Sequence, residues 1–211
     1  MADPMMNESA SPATHPDRLR LFEVASEQGG YFTAEQARES GYSFALLSHH
    51  VKSGRFIRVR RGLYRLREYP SFPREEVLAA WLAAGKDVAV VSHESALDLL
   101  NLSDVIPDAV HLTVPRSRRY IPAPPGVKIH TTERPLGPSD LTYHDGMVTT
   151  AATRTILDAA EAGTAPDQVE LAVVQAVERG LAAPDQLRRD AVPRGRRVTA
   201  LIVGALRRAA A

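Results

Sequence analysis

The chain has 211 residues, no cysteine and a formal net charge of +1. That length fits one large domain or two small ones and buries about 70 % of the unfolded surface, so folding requires neither disulfide nor metal. The lack of cysteine excludes a disulfide framework and any thiolate metal site, and it fits a cytoplasmic protein. No apolar run nears the ~18 residues of a membrane span. The longest candidate, Ala200 to Leu206, is far too short.

Met1 to Pro16 is polar, with two acids and three prolines, and reads as a disordered tail rather than a signal peptide. Asp17 then caps a helix to Gln28, with Leu19, Leu21, Phe22 and Ala25 as its apolar stripe. Gly29-Gly30 ends it. Thr33 and Gln36 form a capping-box pattern for a short second helix that stops at Gly41. Ser43 caps a third, Phe44 to Ser53, with Phe44, Leu47 and Val51 on one face and Gly54 as its stop. Two alternating runs follow, Phe56 to Arg60 and Leu63 to Arg67, joined by Arg61-Gly62 as a hairpin turn. A turn centred there sets Val59 opposite Tyr64, Ile57 opposite Leu66 and Arg58 opposite Arg65.

Pro70 and Pro73 mark a boundary. Beyond it, helices are expected at Glu75 to Ala84, at Ser92 to Leu100 with Ser92 as cap, at Ala151 to Ala162, at Asp167 to Arg179, after Pro184, and from Arg197 to the C-terminus. Strands are expected at Val88 to Val91, His111 to Val114 and Val127 to His130, with a tight turn at Asp145-Gly146 before Met147 to Thr149. The fold class is therefore α/β (α+β): an N-terminal winged helix-turn-helix over 17–70, followed by a mixed α/β domain over 71–211.

Charge distribution points to a partner where net charge does not. From Ser43 to Arg67 there are seven Lys/Arg and no acid, whereas residues 71–211 hold 16 basic and 17 acidic side chains. A basic block in a neutral protein is the footprint of a nucleic-acid face. The third helix offers Ser43, Ala45, Ser48, His49 and Lys52 to a groove, and periodicity leaves Phe44 undecided between core and groove. The wing adds Arg55, Arg58, Arg60, Arg61, Arg65 and Arg67. An Arg58/Arg65 pair facing one another opposes folding by roughly 0.2–1 kcal/mol unless a phosphate backbone neutralises it. Duplex DNA is favoured over RNA, because no aromatic stacking set is interleaved with these arginines.

The stretch Gly41-Tyr42-Ser43 through Val51-Lys52-Ser53-Gly54-Arg55, followed by Ile57-Arg58-Val59-Arg60-Arg61-Gly62-Leu63-Tyr64, resembles the N-terminal domain of AbiEi-type antitoxins of type IV toxin–antitoxin and abortive-infection systems. His111 to Arg116, Gly146 to Thr150 and Arg154 to Asp158 are similar to that family's antitoxin domain. The resemblance spans about residues 18–180. It implies a bacterial antitoxin that binds the operator of its own operon and represses it. It also implies a nucleotidyltransferase-like toxin, opposed without a stable complex. Relatives often carry arginines on the third helix, where this chain has Ser48, His49 and His50; that shifts weight onto the wing. Two alternatives stay open: a module that masks a toxin by direct binding, and a stand-alone transcriptional regulator.

Other features are weaker. Arg116, Arg118 and Arg119 form a possible second basic patch, and Arg188, Arg189, Arg194, Arg196 and Arg197 a third basic segment. Arg154 and Asp158, at i and i+4, read as a helix-surface ion pair. The seven histidines (His15, His49, His50, His93, His111, His130, His144) show no metal-ligand spacing, so no metal or cofactor is expected. There is no G-x-S-x-G elbow, no P-loop and no Glu-x-Lys of a metal-dependent nuclease. No catalytic residues are assigned, and an enzyme is not expected.

Overall fold

A computed structural model of the chain describes residues 15–209. All but the last two residues of the expected tail lie outside that range. The chain divides into two compact units, the first ending at Glu75 and the second beginning at Glu76.

The first unit is built on local signals. Asp17 accepts from the Arg20 N–H at 3.0 Å and opens α1 (Arg18–Ser26). Only Leu21 and Ala25 of the expected stripe turn inward; Leu19 and Phe22 are 75 % and 54 % exposed. A short strand that periodicity had not shown follows, β1 (Tyr31–Thr33). Thr33 then caps α2 (Ala34–Glu39) with both bonds of the capping box: Gln36 N–H to Thr33 Oγ1 at 3.2 Å and Thr33 N–H to Gln36 Oε1 at 2.8 Å. Gly41 turns the chain at φ +81°, a backbone angle that favours glycine. Ser43 caps α3 (Phe44–Lys52) through the Leu46 N–H.

The hairpin of β2 (Phe56–Arg60) and β3 (Leu63–Leu66) forms around Arg61-Gly62, but its register differs from expectation. Phe56 pairs with Leu66, Ile57 with Arg65, Arg58 with Tyr64 and Arg60 with Leu63, and the register shifts between Arg58 and Arg60. Val59 is thus the extra residue of a bulge. One inserted residue moves every pairing below it by one, which exchanges the two faces. β1 adds to β3 antiparallel, giving the order β1-β3-β2. Phe32, Phe56 and Tyr64 meet on one face, with Phe32 5.0 Å from Phe56 and 5.7 Å from Tyr64 between ring centroids. They join Leu21, Ala25, Ala37, Tyr42 and Leu47 in the core.

The unit boundary falls after the first residue of α4 (Glu75–Ala84); in the second unit the Trp81 indole N–H of this helix donates to the Ala89 carbonyl at 2.7 Å. β4 (Val90–Val91), α5 (His93–Leu99), β5 (Val110–Pro115) and β6 (Val127–Thr132) follow. Next comes a hairpin of β7 (Leu141–His144) and β8 (Met147–Thr150), turned at Asp145 (φ +48°) and Gly146 (φ +76°). The five strands run β6-β5-β4-β8-β7; β5/β6 and β4/β8 are parallel, β4/β5 and β7/β8 antiparallel. The helices α6 (Ala152–Ala162), α7 (Pro166–Glu178), α8 (Pro184–Ala191) and α9 (Arg196–Ala209) pack on one another. Ile156, Val169, Val173, Leu187 and Ile202 are fully buried there. No helix among the described residues is long and apolar enough to cross a membrane.

Candidate nucleic-acid interface

The front of α3 is open. Ser43, Ala45, Ser48, His49 and Lys52 are all exposed, while Leu47 is buried and Val51 half-buried behind them. Helical side chains lean toward the N-terminus, so Phe44, first in the helix, projects past the end of the core and is 74 % exposed. The two adjacent histidines part company. His49 faces out; His50 turns in against Phe56 (4.9 Å between centroids) and Tyr42 (5.8 Å). Burial, with Arg55 beside it, lowers the His50 pKa. His50 is therefore half-buried against the aromatic core, and His49 is the one of the pair that is exposed.

On the wing, Arg55, Arg58, Arg61 and Arg67 are exposed and Arg60 half-exposed. Gly62, at φ +77°, carries the chain round the tip beside Arg61, and its carbonyl accepts from the Ala34 N–H at 2.8 Å, tying the tip to the start of α2. Arg58 pairs with Tyr64. By strand alternation it therefore shares the side on which Phe56 and Tyr64 meet the helices. Arg67 folds back, its Nε donating to the Gly54 carbonyl.

Arg65 departs from the expected face. The bulge turns it to the opposite side, where it is 7 % exposed. Its guanidinium lies 5.7 Å from the Tyr31 ring centroid, donates to the Tyr69 carbonyl at 2.8 Å and stands 3.4 Å from the Glu75 carboxylate. The expected Arg58/Arg65 repulsion does not exist, and Arg65 leaves the candidate DNA-contacting set. Removing a buried guanidinium with these partners costs about 1–3 kcal/mol. Arg65→Ala is therefore expected to lower the denaturation midpoint of the first unit while leaving the salt dependence of duplex binding unchanged. A salt slope reduced as far as by Arg58→Ala would contradict the observed register.

The weaker basic segments are largely occupied within the chain. Arg116, Arg118 and Arg119 are exposed just after β5, but Arg116 pairs with Glu133 and Arg119 lies over the Tyr120 ring at 4.3 Å. In the C-terminal segment, Arg188 pairs with Asp185, and Arg197 donates to the Ala160 and Glu161 carbonyls at the end of α6.

The Arg154–Asp158 pair lies inside, not on a helix surface. Arg154 Nε donates to Asp158 Oδ2 at 2.8 Å, Arg194 Nη1 donates to Oδ1 at 2.5 Å, and all three side chains are at most 8 % exposed. Arg154 also reaches Thr132 Oγ1 at 3.0 Å. This network walls a cavity of about 440 Å³ whose lining also includes His93, Thr113, His130 and Arg134.

Three histidines from three elements converge beside it, and two of them, His93 and His130, line it. His93 opens α5 at φ +53°, His111 is on β5 and His130 on β6. The His93 and His130 rings stack at 3.6 Å, and His130 Nε2 lies 3.2 Å from His111 Nδ1. Burial drives all three toward the neutral form: the pKa falls to about 3 for His93 and about 4 for His130, each helped by a neighbouring ring, and it is lowered for His111. No sequence spacing signals this cluster. The one hint was two histidines on neighbouring strands, which become diagonal neighbours through the Thr113/His130 pairing of parallel β5 and β6.

No curated protein matches the chain. A likeness of fold exists to the crystal structure of the RV2827C protein from Mycobacterium tuberculosis, with a TM-score of 0.60 and 15 % identity over 88 % of this chain and 75 % of that one. Residues 19–67, the three helices and hairpin just described, match the model of a family described as transcriptional regulator, AbiEi antitoxin.

Proposed function

We propose that this protein is an antitoxin that binds duplex DNA at the operator of its own operon, represses that operon and counteracts a nucleotidyltransferase-like toxin. The observation that carries the reading is the acid-free, basic segment from Ser43 to Arg67. The exposed front of α3 stands with the exposed Arg58 and Arg61 of the wing in a segment that matches a regulator family. In this reading α3 enters the major groove, where Ser48 and His49 meet base edges, and the wing rests on the backbone or in the minor groove. The second unit carries the antitoxin role.

The exposed apolar side chains of the first unit, Leu19, Phe22 and Phe44, favour a second reading in which it docks on a protein and masks the toxin directly. One experiment separates the two. A promoter fusion to the region upstream of the gene is assayed beside toxin rescue, in wild type and in Ser48→Ala/His49→Ala. The DNA reading expects wild type to repress, and the variant to lose repression at that promoter while still rescuing cells. Rescue through a stoichiometric toxin complex, with no repression by wild type, would replace it with the docking reading.

A further inference from the structure

We propose that His93, His111 and His130 form a binding site for a first-row divalent transition ion, of which Zn²⁺ is the best match. One ligand nitrogen from each ring can be chosen so that all three lie within 4.8 Å of one another. Two imidazole nitrogens on one tetrahedral Zn²⁺ are about 3.3 Å apart, given Zn–N bonds of ~2.0–2.1 Å. The His130 Nε2 to His111 Nδ1 separation of 3.2 Å already has that value. The widest pair has to close by at most about 1.5 Å to reach tetrahedral spacing.

The surroundings orient two of the three rings as ligands. His93 Nδ1 is 2.8 Å from Ser92 Oγ, which in turn accepts from Thr113 Oγ1 at 2.8 Å. With Nδ1–H donating to Ser92, Nε2 is left with its lone pair for a metal. His111 Nε2 is buried with no hydrogen-bond partner, and Asp108 Oδ1 lies 3.9 Å from it. A ring nitrogen aimed at a carboxylate while its opposite nitrogen meets the ion is the usual outer arrangement of a histidine ligand. Ser92 also explains itself this way: it occupies the position before α5 yet makes no side-chain cap bond there. His93 holds a left-handed backbone at φ +53°, strain that tends to persist where a side chain is held in place for a task.

Three neutral imidazoles with a fourth position facing a cavity match the donor set of an open zinc site. His93 and His130 line that cavity together with Thr113, Thr132 and Arg134. The fourth position suits water, since Arg134 on the cavity wall is already paired with Glu161 at 3.1 Å and donates to the Pro193 carbonyl.

The test uses the full chain, stripped with a chelator and titrated with buffered Zn²⁺. Bound metal is counted after gel filtration, and Co²⁺ loading is followed by its visible spectrum. The expected result is one ion per chain, a rise in the unfolding temperature and the intense absorption of tetrahedral Co²⁺. His130→Ala, at a half-buried ring, is expected to weaken Zn²⁺ binding at least a hundredfold. Ser92→Ala, which leaves every ligand in place, is expected to weaken it about 10- to 100-fold. His144→Ala on β7 serves as control and is expected to bind as wild type does. Circular dichroism establishes that each variant folds, and Ser92→Ala carries the test if His130→Ala does not. Failure to retain Zn²⁺ at micromolar free metal, or equal affinity in wild type and Ser92→Ala, would overturn the proposal. Neither outcome bears on DNA binding, which rests on the other unit.

Discussion

Asp158→Ala is expected to destabilise the second unit by about 3 kcal/mol or more, the largest effect of any single substitution considered. Removing one partner of a buried ion pair typically costs ~3–5 kcal/mol, because the remaining charge keeps its desolvation penalty and loses its compensation. Here one carboxylate serves two guanidiniums, Arg154 and Arg194, whose side chains are 8 % and 4 % exposed. Arg194 keeps Glu161 at 2.8 Å and Arg154 keeps Thr132, so the loss is placed at the lower end of that range. Asp158→Asn retains shape and one acceptor and is expected to cost less. Urea denaturation monitored by the fluorescence of Trp81, the sole tryptophan, reads the second unit directly. A change below about 1 kcal/mol, the scale of an exposed pair, would show that the pair behaves as a surface contact after all.

The double variant Arg58→Ala/Arg61→Ala is expected to weaken binding to every duplex about thirtyfold at 0.15 M salt. Each neutralised phosphate contributes roughly 0.9 to the slope of log K against log salt. Two contacts, extrapolated from 1 M to 0.15 M salt, contribute about 1.5 in log K by the same rule. The loss is expected to be uniform across sequences, because phosphate contacts position the protein and carry no base information. Both side chains are exposed on the hairpin, so stability is expected to stay within about 0.5 kcal/mol of wild type. Fluorescence anisotropy on operator and scrambled duplexes measures both parts of this prediction. A loss confined to the operator would reassign the two arginines to base reading.

Much of the first unit was legible because its signals are local. Asp17, the Thr33/Gln36 box, Ser43 and Gly41 each act within four residues, and each does in the structure what its chemistry predicts. β1 was missed because three residues between a Gly-Gly pair and a cap carry no alternation; it exists because β3 supplies its hydrogen bonds. The hairpin was found, but a single bulged residue, Val59, inverted the assignment of faces and with it the place of Arg65.

In the second unit helix positions were legible, whereas strand order and the interior polar groups were not. An i, i+4 Arg–Asp pair looks the same on a surface as in a core. Burial of Arg154 and Asp158 depends on Thr132 and Arg194, contacts 22 and 36 residues away in sequence. The three histidines illustrate the same limit. Each sits on a different element, and only the parallel pairing of β5 with β6 and the start of α5 bring them together.

Duplex DNA binding by the first unit, with its wing arginines on phosphates, is the reading on which the proposed function rests. The most direct test is the salt dependence of duplex binding by the full chain, wild type and Arg58→Ala/Arg61→Ala side by side. Wild-type affinity is expected to fall steeply with salt, and the variant's slope to be shallower by about 1.8. No measurable duplex binding by the wild type, or identical slopes for the two proteins, would contradict that reading.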